Sequence, residues 1–218
     1  MHTGSDRARH MGRNALALLC SLLLTVTAGM AESINSVTVE SAPLTAASSS
    51  LDGMVRVYLS SLGSPTTLSL TIAGSYSLST GTALTNGETL AVGFSTATGA
   101  ITLTRSGVKT NMGTSFSLRR HSAAGINGIK IAQGRKPDNP YPGDLTLQAV
   151  QQSSGSYKLY AIANVYLENY LYGVLPYEMG SSAAAEALKA QAVAARTYTV
   201  RMMASRAGNL YDVVDTTS

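Results

Sequence analysis

The stretch Tyr157-Lys158-Leu159-Tyr160-Ala161-Ile162-Ala163-Asn164-Val165-Tyr166-Leu167-Glu168-Asn169-Tyr170-Leu171-Tyr172-Gly173-Val174 decides the fold class, because its hydrophobic period changes midway. Tyr157, Leu159, Ala161, Ala163 and Val165 fall on one side of a strand, opposite Lys158, Tyr160 and Ile162. From Leu167 the apolar positions are Leu167, Tyr170, Leu171 and Val174, at i, i+3, i+4 and i+7. That spacing is one face of a helix of about three turns. Strands followed by helices predict an α+β protein.

Downstream, Gly173 weakens the helix end and Pro176 stops it, which leaves Pro176-Tyr177-Glu178-Met179-Gly180 as a loop. Ser181 or Ser182 then caps a second helix over 183–206. That helix is Ala-rich, about 36 Å long at ~1.5 Å per residue, and ended by Gly208.

Upstream, Leu145, Leu147 and Ala149 form a strand face, and Ser153-Ser154-Gly155 joins it to the strand at 157 as a hairpin. Earlier still, Val55, Val57 and Leu59 alternate with Arg56, Tyr58 and Ser60. The same period recurs at Leu68, Leu70 and Ile72, at Ile101 and Leu103, and at Phe116 and Leu118. Asn86-Gly87, Thr98-Gly99, Ser106-Gly107 and Asn127-Gly128 carry turn chemistry between these runs. Residues 53–135 therefore read as a small antiparallel β module. A second unit, 136–218, opens at Lys136 with Pro137, Pro140, Pro142 and Gly143. Residues 32–52 read as a Ser/Thr/Ala-rich linker, with a short strand at Val37-Thr38-Val39.

The composition sets the compartment. Of 218 residues, 44% are apolar and 13% charged, and 27 Ser and 23 Thr supply the polarity. Such a chain buries a core and is not intrinsically disordered. Arg7, Arg9 and Arg13 precede an apolar run of about a dozen residues from Ala15 to Val26, then Ala28-Gly29-Met30-Ala31. Residues 1–31 read as an export signal or, if uncleaved, an anchor. The expected place of work is the cell wall or the outer face of the membrane. From residue 32 onward there are 13 basic and 11 acidic residues, a net +2, too weak for a nucleic-acid partner. The single cysteine is Cys20, and His121 is the one histidine after residue 32. No disulfide framework, Cys nucleophile or zinc site of several Cys or His ligands fits those residues. No cofactor and no metal is expected. The run Arg119-Arg120-His121 reads as a solvated loop.

Glu178 is the residue that spacing singles out. It stands just before the longer helix, whose N-terminal dipole favours the carboxylate, while Leu175, Tyr177 and Met179 favour the neutral acid. An acid between those effects suits proton transfer; the plainer reading is an exposed loop carboxylate. On the long helix Glu186, Lys189 and Arg196 lie within about 80° of one another. That stripe is either a solvated face with a Glu–Lys pair or a basic wall for a polar, anionic substrate. Asp212 and Asp215 offer a second carboxylate, and Tyr166, Tyr170, Tyr172 and Tyr177 offer rings for stacking sugars in a chain without tryptophan.

Three segments carry a resemblance. They are Asn164-Val-Tyr-Leu-Glu-Asn-Tyr-Leu-Tyr-Gly-Val-Leu-Pro-Tyr-Glu-Met179, then Glu186-Ala-Leu-Lys-Ala-Gln-Ala-Val-Ala-Ala-Arg-Thr-Tyr198, then Asp212-Val-Val-Asp-Thr-Thr217. They resemble the stage II sporulation protein D family over about a quarter of the chain. The resemblance implies an exported or membrane-anchored protein acting on peptidoglycan. Its sporulation member is a lytic transglycosylase that cuts glycan strands stripped of peptides, and other members enhance a cell-wall amidase. The family's catalytic glutamate sits in a Glu-Met-Pro motif, so the role falls on Glu178. Tyr177, Lys189, Gln191, Arg196 and Tyr198 would bind substrate.

The departures are Gly180 in place of that proline and Ala183-Ala184 in place of a common Trp-Pro. The family continues for roughly a hundred residues more, so the chain reads as a fragment with an incomplete cleft. The implied partners are peptidoglycan glycan strands and a cell-wall amidase, with membrane contact only through residues 1–31. The readings left open are a transglycosylase, a non-catalytic amidase enhancer, and a wall-binding protein that works through its Ser/Thr-rich strands.

Overall fold

The computed structural model describes residues 53–122, 127–180 and 182–216. The expected export signal, linker and strand at Val37-Thr38-Val39 lie outside these residues. Among the described residues thirteen strands and two α-helices form: β1 (Met54–Tyr58), β2 (Thr67–Ala73), β3 (Tyr76–Leu78), β4 (Ala83–Leu84), β5 (Thr89–Phe94), β6 (Ile101–Arg105), β7 (Val108–Asn111), β8 (Ser115–Arg120), β9 (Gly128–Ile131), β10 (Tyr141–Pro142), β11 (Asp144–Gln151), β12 (Tyr157–Tyr166), α1 (Leu167–Met179), α2 (Ala185–Ser205) and β13 (Val213–Val214). This is the α+β class that the period change predicts, with the helices late in the chain.

One sheet has the order β13-β1-β12-β11-β8-β3-β4, the other β10-β9-β2-β5-β6-β7. Their apolar faces share a core that includes Val55, Val57, Leu70, Ile72, Leu90, Ile101, Phe116, Leu118, Leu145, Leu147 and Leu159. Alternation fixes the register, since a one-residue slip would turn each strand's apolar set outward. Thus Leu145 and Leu147 of β11 face Leu118 and Phe116 of β8 on one side and Ala163 and Ala161 of β12 on the other. The β6–β7 hairpin turns through Ser106 (φ 48°) and Gly107 (φ 80°), both left-handed, as a two-residue primed turn requires.

The stretches 53–135 and 136–218 differ in sequence texture but are woven together. β1 and β8 bond to β12 and β11, β10 bonds to β9, and β13 returns to pair in parallel with β1, Val57 opposite Val213. Asp212, only 2% exposed, secures that return. Its carboxylate accepts from the Arg56 backbone N–H at 2.8 Å and lies 2.5 Å from the Arg56 guanidinium. Asp215 accepts from the Ser60 hydroxyl and the Ser61 N–H, each at 3.0 Å.

Four local expectations are corrected. Pro176 does not stop the first helix: α1 runs on to Met179 with the proline inside it. The second helix starts at Ala185, and its cap position is Ala184, with no side-chain hydrogen bond from a serine. Arg119 and Arg120 are not loop residues but end β8, where Asp144 accepts from the Arg120 N–H at 2.7 Å. Asn127-Gly128 is not a turn: Gly128 is in β9, between Ala73 and Pro142. A Cβ there would stand 2.7 Å from the Tyr141 carbonyl oxygen, so the glycine permits close strand approach rather than chain reversal.

Candidate functional site at the helix pair

The run of α1 past Pro176 changes the setting of Glu178. Leu167, Leu171, Val174 and Glu178 fall at i, i+4, i+7 and i+11, so Glu178 occupies the next position of the helix's inward stripe. Leu171 on that stripe is 2% exposed, and Glu178 is half-buried. Proline in a helix interior removes one donor and crowds the carbonyl four residues back, at a cost of about 3 kcal/mol. Only three helical residues follow Pro176. Gly180 then ends the helix, donating its N–H to the Pro176 carbonyl at 3.1 Å. Its φ of 74° lies in the left-handed region. Proline is locked near −65°, so it cannot stand at this position in this backbone.

Facing α1 is α2, of which only Thr199 and Met203 are buried. Tyr170 lies between the helices. Burial pushes its phenol above the ordinary value, and the nearness of Tyr198 and Glu178 adds to the rise. A hydrogen bond with Thr199 opposes it. Tyr170 thus faces Thr199 at the helix interface, with Glu178 and Tyr198 within electrostatic reach. Tyr177 and Tyr198 are strongly exposed, and Gln191 is half-buried on α2.

The two cations of the charged stripe are both held. The Arg196 guanidinium donates to both oxygens of Glu168 on α1, Nε at 2.9 Å and Nη2 at 2.8 Å. This pair keeps the exposed Glu168 carboxyl below its ordinary range. Lys189 bonds Glu186 one turn earlier at 2.7 Å. Asp212 and Asp215 are committed to β1 and the turn after it, as described above. Among the described residues Glu178 alone of the carboxylates on α1, α2 and the C-terminal segment has no hydrogen-bonding or ion-pair partner.

Glu178 lines neither of two concavities of the described surface. One, of about 390 Å³, is a trough on the outer face of the six-stranded sheet, over Ala91 and Gly93 between Thr67, Ser69, Thr102 and Thr104. The other, of about 380 Å³, is lined by Arg206, Asn209, Leu210 and Tyr211. The acid instead sits at an open helix junction. Among the described residues no helix is long and apolar enough to cross a membrane, and no group of three or more His, Cys, Asp or Glu is placed to hold a metal ion.

A half-buried acid on a helix pair that closes an antiparallel sheet is the local architecture of residues 155–218. These residues match the SpoIID family, stage II sporulation protein. The chain is 37% identical over 100 residues to stage II sporulation protein D of Bacillus subtilis (strain 168), a span covering 45% of this chain and 29% of that protein. It is 52% identical over 52 residues to an uncharacterized protein of Brachyspira hyodysenteriae, covering 23% of this chain and 14% of that one. The chain thus spans less than a third of the length of these relatives. No solved structure matches it.

Proposed function

We propose that this chain belongs to an exported, sporulation-type cell-wall protein, and that its helix pair is part of a lytic transglycosylase site acting on peptide-free glycan strands. One observation carries this reading: Glu178 is the unpartnered carboxylate of the family-matched segment, half-buried on the inward stripe of α1 beside Tyr170. Hydrolytic glycosidases use two carboxyl groups. Here the neighbouring carboxylates are held by Arg196, Lys189 and Arg56. A reaction that needs one carboxyl group fits that inventory. Glu178, protonated, donates to the glycosidic oxygen as the C1–O bond breaks. The carboxylate then takes the proton of the muramic acid C6 hydroxyl, whose oxygen bonds to C1. No water is consumed, the proton count balances, and a 1,6-anhydro end results.

Lys189 and Arg196 are then available to a substrate carboxylate by exchange with Glu186 and Glu168, while Gln191, Tyr177 and Tyr198 line its approach. The exposed Tyr172, Tyr177, Val193 and Tyr198 favour a second reading, in which the same face docks on a cell-wall amidase.

The test is incubation of the chain, and of the same protein carrying any continuation of the reading frame, with peptide-free glycan strands. Products are weighed by mass spectrometry. Anhydro-ended fragments are expected from the natural sequence and not from Glu178→Gln. Equal turnover by both proteins would remove Glu178 from the chemistry. Intact strands together with a stable amidase complex would select the second reading.

A further inference from the structure

On the outer face of the seven-stranded sheet, away from the residues used above, three tyrosines and two cations meet. Tyr58 of β1 and Tyr160 of β12 have ring centroids 4.8 Å apart. Tyr211, which follows α2, lies 5.1 Å from Tyr58 and 6.4 Å from Tyr160, its plane turned 23° from the latter. The Lys158 ammonium stands 5.1 Å from the Tyr160 centroid and 5.5 Å from that of Tyr58. The Arg206 guanidinium stands 5.9 Å from that of Tyr211.

The parts of this cluster differ. Tyr58 is buried and its role is packing. Tyr160, Tyr211, Lys158 and Arg206 are half-exposed, and Arg206 and Tyr211 line the 380 Å³ concavity with Asn209. Among the described residues neither Lys158 nor Arg206 pairs with a carboxylate, because the nearby Asp212 carboxylate is taken by Arg56. The Lys158 ammonium is stabilised instead by a hydrogen bond with Tyr58 and by the other two phenols, which hold its charge above the usual pH range. Arg206, Asn209, Leu210 and Tyr211 line the hollow, with Arg206 donating to the Asp212 carbonyl at 3.1 Å, and Tyr160 and Lys158 adjoin it through the tyrosine cluster.

That chemistry selects an occupant. Aromatic faces with cations beside them suit a ligand that offers C–H-rich rings and a negative group together. A protein partner would need exposed apolar anchors, and none of the large exposed apolar side chains lies here. Two cations are too few for a polynucleotide. We propose that the hollow of Arg206, Asn209 and Tyr211, with the adjoining Tyr160 and Lys158, is a binding subsite for an anionic saccharide. Its sugar ring lies against Tyr211 and its carboxylate points to Lys158 and Arg206. Naming that saccharide as the muramic acid of a glycan strand rests on the function proposed above. The hollow would then hold the strand at a point separate from Glu178.

The test is a titration of the whole chain with a peptide-free tetrasaccharide of alternating N-acetylglucosamine and N-acetylmuramic acid, followed by backbone amide NMR. Neutral chitotetraose is the control. Saturable shifts are expected at 158–160 and 206–211 with the acidic ligand, with affinity lowered about tenfold in Lys158→Gln and comparably in Tyr211→Ala. Glu178→Gln should leave these shifts unchanged. Because Tyr211→Ala risks loosening the C-terminal segment, Lys158→Gln decides if the two variants disagree. Absent shifts at these amides, equal response to the neutral sugar, or unchanged affinity in Lys158→Gln would each overturn the proposal. Shifts confined to α1 and α2 would overturn it while leaving the proposed function standing. Shifts here without anhydro products would leave this subsite standing as that of a binding protein.

Discussion

The two sheets and the two helices spend their hydrophobic residues differently. In the sheets, Leu70, Ile72, Leu90, Ile101, Leu118, Ile131 and Leu147 are completely buried. On the helices, Leu171 and Met203 are buried, but Tyr172, Tyr177, Met179, Val193 and Tyr198 are all exposed. With Tyr166 at the head of α1, these make up all but Val108 of the described chain's large exposed apolar groups. The sheet pair satisfies itself, whereas the helix pair presents surface. Burial is therefore concentrated in the strands and exposed apolar surface on the helices. The lesson is physical: apolar groups that burial does not use are available for contact with something else.

The sharpest way to break this contrast is at the joint between the two regions. Asp212 follows α2 and is buried against Arg56 of β1. Asp212→Ala leaves the Arg56 guanidinium beside a hole and frees the β13 return. Removing one partner of a buried ion pair costs about 3–5 kcal/mol, and because the Arg56 side chain is 32% exposed the loss falls toward the lower end. The expected readout is a large fall in the chemical-denaturation midpoint, with α2 amides losing hydrogen-exchange protection before those of β2 and β5. Uniform loss across both regions would show that the helices and sheets unfold as one unit and would erase the distinction.

A smaller effect tests the sheet side alone. Tyr76 is 1% exposed, burial pushes its phenol far above the ordinary value, and its hydroxyl donates to the Gly143 carbonyl at 2.7 Å. Gly143 has φ 92°, and a Cβ there would stand 2.0 Å from the Asn164 carbonyl oxygen, so this junction cannot shift to find a new donor. Tyr76→Phe keeps the ring and strands that carbonyl, at about 1–3 kcal/mol. Equilibrium denaturation should show this loss with the glycan cleavage proposed for the helix pair unchanged. A change in glycan products would mean that the sheets set the helix geometry more tightly than the contrast allows.

How much of this was legible in the sequence follows the same division. Period-two alternation placed the strands at 55–59, 68–72, 101–104, 116–118 and 145–165, because each buries a single face and the pattern is the cause of the burial. The weaving of early and late strands was not legible, since pairing of β1 with β12 and β13 joins residues far apart and no local pattern encodes it. Glu178 was visible by its neighbours and by the family motif, but its seat on the inward stripe was not. Pro176 reads as a stop, but it lies so near the helix end that only three helical residues follow it. The i+11 spacing from Leu167 was the available signal. The partners of Arg196 and Asp212 were hidden for the same reason as the strand pairing: Glu168 and Arg56 are distant in sequence.

The smallest expected effect probes the helix side. Arg196 holds Glu168 across the α1–α2 interface with two hydrogen bonds, yet both side chains are largely exposed. Exposed pairs are screened by water and salt and contribute little to stability. The Glu168 carboxyl is held low by Arg196, so whatever the pair adds is fully present above the ordinary glutamate range near ~4.3. It is lost as pH falls through the lowered value. Arg196→Gln is therefore expected to leave the thermal midpoint at neutral pH unresolved from that of the natural sequence, and to erase only a slight dependence in acid. If Arg196 exchanges Glu168 for a substrate carboxylate, the same variant should weaken binding of the acidic tetrasaccharide at α1 and α2 severalfold. A variant that lost stability without losing binding would invert the contrast and make the helix pair a structural clamp rather than a surface held ready for a ligand.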